Sequence, residues 1–135
     1  MATILELNAA CKRQHEEVLK KGFDNIHIPT LLMLTVSELG EALEADRKNR
    51  HANLDGFEKD RKTFIGDDSI PRERKMELYK SIFENHIKDS FEDEIADAFL
   101  RLMDLVGAYD INIEKHIRYK QIYNSLRPTK HGKAY

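Results

Sequence analysis

The sequence predicts an all-α protein with a four-helix core and one additional helix. Apolar residues recur at three- and four-residue steps through most of the chain, and no stretch alternates strictly as a half-buried strand would. Only 3 prolines and 6 glycines interrupt 135 residues, too few for a loop-rich or all-β design. Hydrophobic residues make up 41% of the chain and charged residues 34%, a balance that suits helices with one apolar stripe and a charged outer surface.

Taken in order, the first helix is predicted from Ile4 to Lys21, stopped by Gly22, with a loop from Phe23 to Pro29. The second runs from Thr30 to Asn49, and its main core stripe is Leu32, Val36, Leu39 and Leu43. A polar connector containing Gly56, Gly66, Asp67 and Asp68 follows. The third helix starts near Pro71, which suits a first-turn position. It reaches Lys88 with an apolar stripe of Met76, Tyr79, Ile82, Phe83 and Ile87. The fourth begins after Ser90, with Asp93 as a capping-box-like partner, and continues to Gly107. Its stripe is Phe91, Ile95, Phe99, Leu102 and Val106. The fifth begins after Asp110, a good N-cap, and ends near Leu126 before Pro128. A basic tail, Thr129 to Tyr135, closes the sequence. The second and fourth helices carry an internal echo, so the core reads as two related helical hairpins.

Composition excludes several classes. The formal net charge of −2 predicts neither nucleic-acid nor membrane binding. A single cysteine, Cys11, excludes an internal disulfide framework and a Cys-rich zinc site, and reads as a small buried hydrophobe. No apolar run approaches the roughly 20 residues of a membrane span. No basic region followed by an apolar run stands at the N-terminus, so no signal peptide is expected. One soluble, cytoplasmic domain over residues 1–135 is the expectation.

Two acidic segments carry the functional signal: Ser37-Glu38-Leu39-Gly40-Glu41-Ala42-Leu43 and Asp93-Glu94-Ile95-Ala96-Asp97-Ala98-Phe99. From Glu38 and from Glu94 each reads acid, aliphatic, small, acid, Ala, apolar. Residues three apart share a helix face, so each segment points two carboxylates one way. A lone Glu-x-x-Glu is common by chance. Two pairs in phase, each on the flank of a core stripe, are not. Convergent carboxylates suit a hard divalent cation such as Mg²⁺, with Mn²⁺ as a substitute. Glu38, Glu41, Glu94 and Asp97 are therefore the candidate metal ligands. Glu44 and Asp93 are candidates to support them, and Asp46, Glu92 and Asp104 read as solvated. Di-iron bundles use Glu-x-x-His, which is absent, as is the EF-hand loop pattern. Gly40 and Ala96 occupy matching positions, and close approach of two helices is one reason for a mid-helix glycine.

A second constellation lies near the C-terminus. Lys120, Asn124 and Arg127 share one helical face, with Lys130 beyond Pro128. Such residues donate to phosphate oxygens, although a cationic last turn is also what the helix dipole favours.

Together, Glu38-x-x-Glu41, Glu94-x-x-Asp97 and Lys120…Asn124…Arg127-Pro-x-Lys130-His-Gly resemble the MazG-like all-α nucleoside triphosphate pyrophosphohydrolases, a family related to dimeric dUTPases and dCTP pyrophosphatases. The resemblance covers roughly Leu31 to Ala45 and Phe91 to Lys133. It implies Mg²⁺-dependent hydrolysis of a nucleoside triphosphate, ribo- or deoxyribo-, to the monophosphate and pyrophosphate. The four carboxylates would hold the metal and Glu38 would activate water. Lys120, Asn124, Arg127 and Lys130 would grip the phosphates. A homodimer or homotetramer is implied as well. Gln14 and His15 are candidates to contact the base, with Phe23 and His27 nearby. The chain departs from the family between the acid pairs, where residues 47–90 are a longer insertion. A non-catalytic helical oligomer that binds a nucleotide or a protein partner is the alternative reading. A nuclease-like phosphodiesterase is disfavoured, because the basic patch is short.

Overall fold

The computed structural model describes residues 6–23 and 27–128. Among the described residues there are six α-helices and no strand. They are α1 (Leu7–Lys20), α2 (Ile28–Arg47), α3 (Leu54–Lys62), α4 (Arg72–His86), α5 (Phe91–Ala108) and α6 (Ile113–Ser125). The all-α class is as predicted. The helix missed by sequence is α3, inside what reads as a polar connector. Asn53 caps it by accepting from the Gly56 N–H, Asp55 sits in its first turn, and Lys59, Arg61 and Lys62 sit in its last. Those charges complement the helix dipole at both ends.

Three helices end by the same local chemistry. Gly22, Asn49 and Asp110 adopt positive φ angles of 88°, 54° and 50°. In each case the next residue's N–H reaches back to a carbonyl of the last turn: Phe23 to Val18, Arg50 to Ala45 and Ile111 to Val106. This is the Schellman arrangement, which satisfies carbonyls that the helix itself cannot. It corrects one boundary. Asp110 closes α5 and ion-pairs with Lys12 at 3.2 Å, while α6 is capped by Asn112, whose side chain accepts from the Lys115 N–H. Pro71 also stands at the N-cap of α4 rather than inside its first turn.

The chain divides into two compact units, Met1–Leu31 with Leu100–Tyr135, and Leu32–Phe99. In the first unit, Asn8 ties α1 to the start of α6. Its N–H donates to Glu114 Oε1, its amide donates to Asn112, and its side-chain oxygen accepts from the Glu114 N–H. Cys11 is fully buried, as expected. Burial first, then the charge of Glu114, pushes its thiol up, so it stays protonated and unreactive. A β-carbon at Gly107 would run into the Cys11 carbonyl. Glycine is what lets α1 lie against α5 there.

In the second unit, α3 and α4 form a hairpin around Phe57, which is buried and packs edge-on against Tyr79 and Phe83 at ring separations of 5.3 and 6.3 Å. His86 Nε2 meets Asp60 at 2.7 Å. Backbone and side-chain bonds join the segment after α2 to the start of α5. Phe91 N–H donates to Arg50 O, and Glu92 accepts from the Ala52 N–H and meets His51 at 3.0 Å.

The predicted core stripe of α2 is not in the core. Leu32, Val36, Leu39 and Leu43 are 43%, 56%, 48% and 62% exposed, and the buried face of the helix is Thr35, Ala42 and Ala45. On α5 the stripe is divided: Phe91, Ile95 and Val106 are half-buried, while Phe99 and Leu102 are exposed. Sequence periodicity found the amphipathic axis but assigned the wrong side of α2 to the interior.

Candidate metal centre

Three of the four predicted carboxylates, Glu38, Glu41 and Glu94, come together on that side. Each pair rides one helix, Glu38 and Glu41 on α2 and Glu94 and Asp97 on α5, so one turn of helix fixes the spacing within a pair. Ala42, Ala45 and Ala98 are buried to 2%, 2% and 3% exposure on the same two helices. Small side chains leave room for neighbouring carboxylates to reach one another. Glu38, Glu41 and Glu94 each place an oxygen within 4.8 Å of the others. Glu94 is the innermost, 7% exposed, Glu38 is half-buried and Glu41 is exposed.

The electrostatics follow from this crowding. Burial pushes the Glu94 carboxyl up from 4.5 to about 7. A hydrogen bond to Glu41 and the charges of Glu41, Asp97 and Glu38 add to the same direction. Like charges this close cannot all stay ionised in a desolvated place. Near neutral pH the trio therefore shares a proton, which Glu94 donates to the Glu41 carboxylate. Three hard oxygen donors that must otherwise hold a proton match what a divalent cation replaces.

Asp97 is half-buried and close enough for its charge to act on Glu94, but it is not one of the trio. Glu94 also belongs to a second acidic group with Asp89 and Asp93, again within 4.8 Å. Sequence reading passed over Asp89. Its N–H donates to Asp93 Oδ2 at 2.9 Å while the Asp93 N–H donates to Ser90 Oγ, so the predicted capping role of Ser90 and Asp93 orients this group. Glu44 ion-pairs with Arg47 and Lys48 instead of supporting the trio.

Asp104, expected in solvent, is 5% exposed. It meets His15 Nδ1 at 2.9 Å, a pairing of residues remote in sequence. That bond orients the half-buried ring of His15, and Gln14 beside it is half-buried too. His27 meets Thr30 Oγ1 at 2.7 Å and Phe23 is 67% exposed. Lys120, Asn124 and Arg127 lie exposed on α6 and just beyond it. Lys120 and Arg127 both stand over the Tyr123 ring, at 4.9 and 5.9 Å. Lys130 lies outside the described residues. Among the described residues no helix is long and apolar enough to cross a membrane. No family model, curated protein or solved structure matches the chain.

Proposed function

We propose that this protein is a Mg²⁺-dependent hydrolase that converts a nucleoside triphosphate to the nucleoside monophosphate and pyrophosphate, acting as a homodimer or homotetramer. The observation that carries the reading is the Glu38–Glu41–Glu94 trio, three carboxylates within 4.8 Å of one another with Glu94 buried among them and its carboxyl pushed up by that burial. Its resemblance to the paired acid motifs of MazG-like enzymes supplies the reaction class.

In this reading Glu38, Glu41 and Glu94 would hold the metal, and Asp97 would add charge or an outer hydrogen bond. A bound Mg²⁺ would supply charge neutralisation for the phosphates and a more acidic water. Glu94 would lose its proton to solvent to serve as a ligand. Glu38, the less exposed carboxylate of α2, orients the attacking water and accepts its proton. The water oxygen bonds to phosphorus as the bond to the departing phosphate oxygen breaks, and pyrophosphate leaves. By the resemblance, Lys120, Asn124, Arg127 and Lys130 are the residues that would donate to phosphate oxygens, and positioning and charge neutralisation are most of such catalysis. Gln14 and His15, the latter oriented by Asp104, are the candidates to contact a base.

The test is a panel of canonical and modified NTPs and dNTPs, incubated with Mg²⁺, Mn²⁺ or EDTA, with monophosphate and pyrophosphate quantified. The expected result is metal-dependent formation of both products in equal amounts from a subset of the panel. Glu41→Ala is expected to abolish it, and Asp97→Ala to lower it by about ten- to a hundredfold. Full turnover in either variant would remove that residue from the site. A folded protein that turns over nothing would favour the non-catalytic oligomer.

A further inference from the structure

We infer that the outer face of α6 is a docking surface for an anionic lipid bilayer. The inference goes beyond the hydrolase reading and does not depend on it. One side of α6 meets its own chain. Ile113, Glu114 and Ile117 are the only half-buried residues of the helix, and Asn8 of α1 bonds to Glu114. On the opposite side stand Tyr119, Ile122, Tyr123 and Leu126, which are 59%, 51%, 56% and 78% exposed. At about 100° per residue these four fall within an arc of about 100°, a continuous apolar strip. Every residue from Arg118 to Pro128 is exposed, so the strip is uncovered among the described residues.

Charge identifies the occupant. Residues 115–135 hold six of the chain's 22 Lys and Arg and none of its 24 Asp and Glu. The formal net charge of −2 averages over this separation and so conceals it. Arg118 lies about 100° to one side of Tyr119, and Lys120 and Arg127 about 80–100° to the other. An apolar strip with cations along both edges suits a plane of anionic headgroups, the apolar side chains below headgroup level and the cations at it. Two of the four strip residues are tyrosines, whose apolar ring and polar hydroxyl suit the boundary between hydrocarbon and water. A second copy would bring cations against cations. Single-stranded nucleic acid needs open aromatic faces, but Lys120 and Arg127 already stand over the Tyr123 ring, and Ile122 and Leu126 have no ring to stack. Lys120 and Arg127 are also offered to phosphates in the reading above, so the test leaves them intact.

Co-sedimentation of the full chain with vesicles tests this. The protein is expected to bind vesicles of equal parts phosphatidylserine and phosphatidylcholine, to leave phosphatidylcholine alone unbound, and to come off as salt is raised. The double variant Ile122→Ser, Leu126→Ser is expected to bind about tenfold or more weakly. Its helical circular dichroism should be unchanged, since both side chains are already exposed. The chain has no tryptophan, so Leu126→Trp adds a single reporter, whose emission should shift to the blue on anionic vesicles as the ring leaves water. No binding to anionic vesicles, equal binding to neutral ones, or undiminished binding by the double variant would overturn the inference. An unshifted emission from vesicle-bound Leu126→Trp would overturn it too, because charge alone would then hold the protein. Binding to a single-stranded oligonucleotide or to polyglutamate, with none to vesicles, would give the face to a nucleic acid or to an acidic protein instead.

Discussion

Glu94→Gln will abolish metal-dependent turnover and yet make the metal-free protein more stable above neutral pH. The loss of activity should exceed about a hundredfold, the most that losing an outer partner of a metal ligand usually costs, because in the proposed reading a ligand itself is lost. The gain in stability has a definite sign. In the unfolded chain Glu94 titrates near 4.5, and in the folded, metal-free chain near 7. Between those values the folded protein keeps a proton that the unfolded chain has released. Its stability is therefore full below the lower value and falls as pH rises through the upper one. At about 1.4 kcal/mol per unit, the loss above pH 8 reaches at most about 3 kcal/mol. Glutamine cannot ionise, and its amide still donates to Glu41. Thermal melts in EDTA should therefore show the variant clearly more stable than wild type at pH 8 and close to it at pH 5. A variant less stable than wild type at pH 8 would mean that Glu94 is not under the strain its burial and neighbours imply.

Gly107→Ala should be among the most damaging single-methyl changes in the molecule. Inside a helix Ala is favoured over Gly by up to about 1 kcal/mol. Here the added carbon collides with the Cys11 carbonyl and crowds the His15 β-carbon. A backbone carbonyl cannot swing away as a side chain can, so α1 must shift and the His15–Asp104 bond shifts with it. Overpacking of this kind costs about 1–3 kcal/mol or more. A fall in Tm on the order of 5–10 °C is expected for a chain of this size. An unchanged melting temperature would show that α1 is free to move off α5. Gly40→Ala provides the contrast within the chain, since its β-carbon meets nothing within 4 Å.

The contrast between these two glycines shows what the sequence could convey. The acid pairs were legible because a three-residue step on a helix has one geometric meaning, and Glu38, Glu41 and Glu94 do converge. Helix ends were legible where one residue decides them, as at Gly22. They were misread where two candidates competed, as at Asp110 and Asn112, because the first is recruited to end α5. The burial of Asp104 depends on His15, a partner 89 positions away, and no local pattern announces it. The apolar stripe of α2 was visible, but hydropathy does not say whether such a stripe meets its own chain or another surface. The buried face instead uses Thr35, Ala42 and Ala45, residues whose modest hydropathy hides them. The helix α3 was hidden by its charges, although Asn53 followed by Asp55 and a basic last turn was a usable start-and-stop signal.

The central claim is that the trio around Glu94 is a divalent-cation site that holds a proton only while no cation is bound. Calorimetric titration of MgCl₂ into metal-free protein, at pH 7 and pH 9 and in buffers of different ionisation enthalpy, tests it most directly. The account predicts saturable binding that releases about half a proton per ion at pH 7 and almost none at pH 9, and no such binding to Glu94→Gln. Absence of saturable binding by the wild-type protein, or binding with no proton released at pH 7, would contradict it.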